Sequence, residues 1–207
     1  MAVAADAARL AVGPSLSEVR ELAREHTLVP IRHTFIDDCE TPVSAYLKLR
    51  GEGPSFLLES AEQGRRLARW SFLGVQPRTV MRIDDGELTV GGEPRAFEDP
   101  YRAVADELAR YRVAPLPGLP PFAGGAVGLF GYDLVRHAEP TVGPAGADSL
   151  GLPDLALMVS DVLLAFDHWA HEVTILANVF VEGDVAERYE EALGAIAEVR
   201  ERLASPT

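Results

Sequence analysis

Asp85-Gly86, set between the alternating runs 79–84 and 87–90, constrains the fold of this chain more than any other pair of residues. A two-residue connection between strands calls for positive backbone torsions, which glycine adopts without a steric penalty, so the two runs must fold back as an antiparallel hairpin. Residues 155–167 and 172–180 read as a second hairpin, joined through His168-Trp169-Ala170-His171. Residues 55–60 and 69–74 supply two more strands across a short polar connection. Strand pairs therefore outnumber strand–helix–strand units. The fold class that follows is α+β, a mainly antiparallel sheet with helices flanking one side.

Helices fall between these runs. Ser15 with Glu18 has the spacing of a capping box, and Leu16, Val19, Leu22 and Ala23 recur at helical intervals, which predicts a helix to residue 25. Thr41-Pro42 places a cap and a first-turn proline before a short helix over 43–49. Asp99-Pro100 repeats that signal and opens a helix through Tyr111, with Val104, Leu108 and Tyr111 on one stripe. Gly183-Asp184 starts a terminal helix whose apolar stripe is Tyr189, Leu193 and Ile196. Residues 28–35 read as a strand that begins at an edge or an end, because Pro30 cannot donate to a ladder. Residues 1–14 are Ala-rich, end at Gly13-Pro14 and are expected to form a flexible tail, leaving 15–204 as one domain. Residues 139–153, with Pro140, Pro144 and Pro153, read as an exposed loop.

The stretch 55–62, Ser-Phe-Leu-Leu-Glu-Ser-Ala-Glu, is where a ligand site is expected. Side chains alternate across a strand, so Phe56, Leu58 and Ser60 share one face and Leu57 and Glu59 the other. Ser60 thus closes an apolar face with a hydroxyl, which suits a small amphipathic ligand. Spacing alone leaves a second reading open, in which Glu59-Ser60 only ends a strand at a turn.

Several kinds of chemistry find no support. The net charge of −13 and the lack of a Lys/Arg run beyond Arg65-Arg66 disfavour nucleic acid and anionic membrane surfaces. Lys48 is the only lysine, which limits Schiff-base chemistry to that residue. The glycine-rich segment 122–133 contains neither G-x-G-x-x-G nor a P-loop, so its glycines are expected to let a strand bend or another backbone approach closely. His168 and His171 lie on a turn, where their spacing does not converge two metal ligands. Cys39 is alone and reads as a small buried hydrophobe, with no intrachain disulfide, which fits a reducing cytoplasm. The acidic pairs Asp37-Asp38, Asp84-Asp85 and Glu98-Asp99 sit where turns and caps want acids. No catalytic residue and no metal ligand is assigned.

Taken together, the Leu57-Leu58-Glu59-Ser60 run, the Arg69-Trp70-Ser71-Phe72-Leu73-Gly74 segment and the glycine-rich 122–133 segment resemble the N-terminal domain of anthranilate synthase component I, a chorismate-utilising enzyme. The resemblance runs from about residue 16 to residue 203. It implies the N-terminal part of that family's β-sandwich, with the glycine-rich segment as a core strand entering a short helix at 132–138. It also implies a role in tryptophan biosynthesis, the conversion of chorismate, with ammonia from a glutamine amidotransferase subunit, to anthranilate and pyruvate. In the family, chorismate and Mg2+ are held by a larger C-terminal chorismate-binding domain. No counterpart of that domain precedes the end of this sequence at Thr207, so the chain is expected to hold no cofactor and to be inactive alone. The resemblance assigns Leu58, Glu59 and Ser60 to an allosteric feedback site for L-tryptophan, completed by residues of the other domain. The related aminodeoxychorismate synthases of the folate pathway are the alternative, against which the 41–49 segment argues. A standalone interaction module of the same fold is the other.

Overall fold

The computed structural model describes residues 10–60, 69–139, 141–143, 146 and 150–206. In chain order these form β1 (Val12–Gly13), α1 (Leu16–Leu22), β2 (Leu28–Ile36), α2 (Pro42–Leu49), β3 (Ser55–Glu59), β4 (Trp70–Val75), β5 (Thr79–Asp84), β6 (Glu87–Val90), β7 (Glu93–Arg95), α3 (Pro100–Leu108), β8 (Ala126–Phe130), a 3-10 turn (Tyr132–Leu134) running into α4 (Val135–Ala138), β9 (Leu155–Val159), β10 (Val162–Asp167), β11 (Glu172–Phe180) and α5 (Val185–Leu203). All strand pairs are antiparallel, in two sheets ordered β1-β2-β11-β10-β4-β3 and β7-β6-β5-β9-β8. The α+β class read from the sequence is the observed one. The chain makes two compact units. One draws on residues up to Gln76, on Tyr111–Gly124 and on residues from Asp161; the other on Pro77–Arg110 and Gly125–Ser160.

The first unit is built on the six-stranded sheet. One face carries Val29, Ile31, Leu73, Val75, Leu164, Phe166, Val173, Ile175, Ala177 and Val179, all buried, and packs against α1, α2 and α5. On α5, Tyr189, Ala192, Ile196, Val199 and Leu203 recur at steps of three and four, so the helix turns one apolar stripe to the sheet. The capping box of α1 forms as expected, with Glu18 accepting from the Ser15 amide at 2.8 Å and its hydroxyl at 2.6 Å. The two hydrogen bonds from Ser15 hold the Glu18 carboxyl below its ordinary pKa.

The sole lysine has a structural place. Lys48 reaches the Glu40 carboxylate at 2.5 Å and the Leu203 carbonyl at 2.8 Å, while Arg202 donates to the carbonyls of Lys48 and Leu49, both at 2.8 Å. The free carbonyls at the C-termini of α2 and α5 are thereby satisfied across the pair. Both charges of the Lys48–Glu40 pair are nearly enclosed, at 13% and 6% side-chain exposure. Lys48→Ala leaves that carboxylate unpaired, and urea unfolding is expected to show a loss of about 3 kcal/mol.

Four expectations need correction. Residues 155–167 are not one strand: β9 pairs with β5 and β8, β10 with β4 and β11, and the chain changes sheet at Ser160-Asp161. Only β10 makes the hairpin with β11. The helix expected through Tyr111 ends at Leu108, and the Tyr111 ring instead packs edge-on against Phe180 at 5.6 Å. Cys39 is exposed, because it lies in a turn where Asp37 accepts from the Cys39 and Glu40 amides. The glycine-rich β8 is an edge strand with Gly128, Leu129 and Phe130 exposed, not a core strand. At the amino end, residues 1–9 lie outside the described residues, yet Val12 and Gly13 pair with His33 and Arg32, so the last part of the expected tail is held. Of the expected loop, residues 140, 144–145 and 147–149 also lie outside them.

In the second unit, Met81, Ile83, Leu88, Val104, Leu134, Leu155 and Leu157 form the core. The Asp85-Gly86 turn has φ of 48° and 77°, the paired positive torsions of a two-residue hairpin, and joins β5 to β6 as expected.

Candidate functional site

β3 is the last strand on its side of the six-stranded sheet, and β4 is its partner. The register sets Phe56 opposite Gly74, Leu58 opposite Phe72 and Glu59 opposite Ser71. Continuing this register one residue past the last pair of the ladder puts Ser60 level with Trp70. The face of the sheet away from the helices therefore presents Phe56, Leu58 and Ser60 from one strand, and Trp70, Phe72 and Gly74 from the next.

Glycine at 74 is what lets this face close. A Cβ there would lie 2.3 Å from the Phe56 ring, so the ring occupies the space that any other residue would fill. Phe122, from the segment that follows the proline run, stands edge-on to Phe56 at 6.4 Å and to Phe72 at 5.6 Å, and Phe72 stacks on Trp70 at 6.1 Å. The result is an aromatic wall beside Leu58, which is 43% exposed. Glu59 and Ser60 are exposed at its end.

Of the three residues named from the sequence, Leu58 and Ser60 share this face. The Glu59 side chain alternates to the other face, beside Ser71, whose hydroxyl lies 2.8 Å from His168 Nε2. Ala61 and Glu62, and the Arg65-Arg66 pair, lie outside the described residues. The sequence reading did not assign Trp70, Phe72 or Phe122 to the site. Strand alternation through 69–74 carries a signal for the first two; Phe122 comes from an irregular segment that carries none.

The polar end of the wall is braced by Arg69. Its Nε lies 3.0 and 3.1 Å from the two carboxylate oxygens of Asp167, and its guanidinium sits 4.8 Å from the Trp70 ring and 5.3 Å from the Trp169 ring. Asp167 is 6% exposed at its side chain and also accepts from the amides of Trp169 and Ala170. The Arg69 hydrogen bonds hold its carboxyl below the usual aspartate range, against the opposing effect of burial.

Two antiparallel sheets together with helices, among the described residues, place the chain among α+β proteins. No protein-family model matches it. Among curated proteins it is similar to anthranilate synthase component 1 of Pseudomonas aeruginosa, 38% identical over 194 residues that cover 91% of this chain and 39% of that protein. It is also similar to anthranilate synthase component 1 of Thermus thermophilus, 47% identical over 154 residues that cover 72% of this chain and 32% of that one. The solved anthranilate synthase component I of Streptococcus pneumoniae matches with a TM-score of 0.58 and 26% identity, over 84% of this chain and 37% of its own. The chain belongs to the anthranilate synthase component I family, in its N-terminal region. It spans less than half the length of the curated relatives it matches. No helix among the described residues is long and apolar enough to cross a membrane.

Proposed function

We propose that this chain is the regulatory, tryptophan-sensing region of an anthranilate synthase, acting with a chorismate-binding domain and a glutamine amidotransferase subunit. The observation that carries the reading is the wall itself, where Leu58 and Ser60 share one face of an edge strand beside Phe56, Phe72 and Phe122. An indole ring gains from apolar burial and from edge or offset contacts with other aromatic rings. Leu58 and Phe72 flank that ring, and the Ser60 hydroxyl takes the polar end of the amino acid. The carboxylate of Glu59 lies on the other face, so its main-chain carbonyl serves as the acceptor for the ligand's ammonium. Binding that favours an inactive arrangement over the active one lowers turnover by that difference in affinity.

The reaction would be the one the family is named for, forming anthranilate and pyruvate from chorismate and ammonia. Magnesium, when bound, would draw electron density from chorismate. Among the described residues no three His, Cys, Asp or Glu side chains group to hold a cation, so the residues present here do not fit a magnesium site. That ion would belong to the chorismate-binding domain.

The test is reconstitution. The chain alone is expected to form no anthranilate from chorismate with glutamine or ammonia, and to bind L-tryptophan weakly by calorimetry, since one wall buries only part of a ligand. With a separately made chorismate-binding domain, anthranilate formation and its inhibition by L-tryptophan should both appear. Product from the pure chain would overturn the reading. Micromolar tryptophan binding by the chain alone would identify a complete sensor domain instead.

A further inference from the structure

We propose that Arg69 is a positioning residue of the tryptophan site, and that it ties the occupancy of that site to the β10–β11 turn. The inference rests on the reading of the site just given. Trp70 ends the aromatic wall at the level of Ser60, so whatever fixes its ring fixes the boundary between the apolar and polar parts of the site. Among the described residues no strand lies beyond β3, the last strand of the sheet on that side. The fixing group is Arg69, held at three points. Its guanidinium spans both carboxylate oxygens of Asp167 and lies over the rings of both Trp70 and Trp169, and its main-chain carbonyl accepts from the His168 amide at 2.9 Å.

Each contact has a distinct effect. Asp167 pairs with Trp70 across the β4–β10 ladder and caps the turn through the Trp169 and Ala170 amides, so it reports the state of the turn to β4. A planar guanidinium can satisfy that carboxylate bidentately and stack on two rings at once, which an ammonium cannot. Trp169 is 54% exposed, so its contact with Arg69 can be made or broken without disturbing the core. A ligand that packs on Trp70 therefore stabilises the closed sandwich, and the turn at 168–171 becomes more ordered when the site is filled.

The chain holds two tryptophans, Trp70 and Trp169, and both lie against Arg69, so tryptophan fluorescence excited selectively over tyrosine reads this cluster. In a Trp169→Phe background, Arg69→Gln is expected to raise acrylamide quenching of Trp70 about twofold, while Arg69→Lys falls between, because only the bidentate stack is lost. In the assembled synthase, Arg69→Gln should raise the inhibition constant for L-tryptophan about tenfold and leave KM for chorismate within about twofold. A merely structural role would move both constants together, and that outcome would overturn the proposal. Should Arg69→Gln fail to fold, Trp169→Ala removes the exposed half of the sandwich and is expected to raise the inhibition constant in the same direction. Unchanged inhibition in variants whose fluorescence shows the sandwich open would sink the positioning role; if Ser60→Arg still relieves inhibition in that case, the site itself stands. Unchanged inhibition in Ser60→Arg as well would remove both readings.

Discussion

Ser60→Arg is expected to release the assembled synthase from L-tryptophan while turnover persists, with the half-inhibiting concentration rising by roughly thirtyfold. The estimate follows from overpacking: a guanidinium placed where the ligand's polar end must sit costs about 2 kcal/mol of binding, and about 1.4 kcal/mol is a factor of ten. Ser60 is exposed at the end of the strand, so the larger side chain displaces no core residue and the sheet pairing from Ser55 to Glu59 is untouched. Ser60→Phe fills the same space without adding charge. Both substitutions should therefore act through the ligand, and titration of the initial rate with L-tryptophan separates the outcomes. Loss of turnover in both variants at zero tryptophan would mean that Ser60 holds the fold of the assembled enzyme and is no ligand contact.

The parts of this molecule that the sequence disclosed are those set by local chemistry. The Ser15–Glu18 capping box, the Thr41 and Asp99 caps and the Asp85-Gly86 turn each need only a few neighbouring residues, and each forms as read. Strand alternation likewise places Leu58 and Ser60 on one face. What stayed hidden depends on partners far along the chain. The run 155–167 looks continuous, yet β9 alternates buried and half-buried residues as a strand with one open face does, whereas β10 is buried from Leu163 to Asp167 as a central strand. The two adjacent polar residues Ser160 and Asp161 break the period of two between them, and that break is the only local sign of the change of sheet. Phe122 reaches the site from a segment with no periodicity. Arg69 finds Asp167 across 98 residues, a pairing that no spacing rule suggests.

Gly128→Ala is expected to be the most destabilising small substitution in the second unit, costing about 3 kcal/mol or more although the residue is exposed. Exposure misleads here, because the constraint comes from backbone and not from burial. β8 lies against β9 with Gly128 opposite Leu157, and a Cβ at 128 would stand 1.9 Å from the Ala156 carbonyl oxygen and 2.9 Å from Leu157 Cα. Those atoms cannot turn aside as a side chain can. β9 is itself fixed on its other edge by five pairings with β5, so relief must come from β8, whose ladder from Ala126 to Phe130 would have to part. Gly74→Ala offers the contrast within the first unit: its Cβ would meet only the far edge of the Phe56 ring, which can swing, so the penalty should be smaller and should fall on the aromatic wall. Gly143→Ala, with nothing within 4 Å, is the neutral control. Urea unfolding of the three variants side by side tests the ranking. A Gly128→Ala protein as stable as the Gly143→Ala control would show that β8 does not pair with β9 in this register.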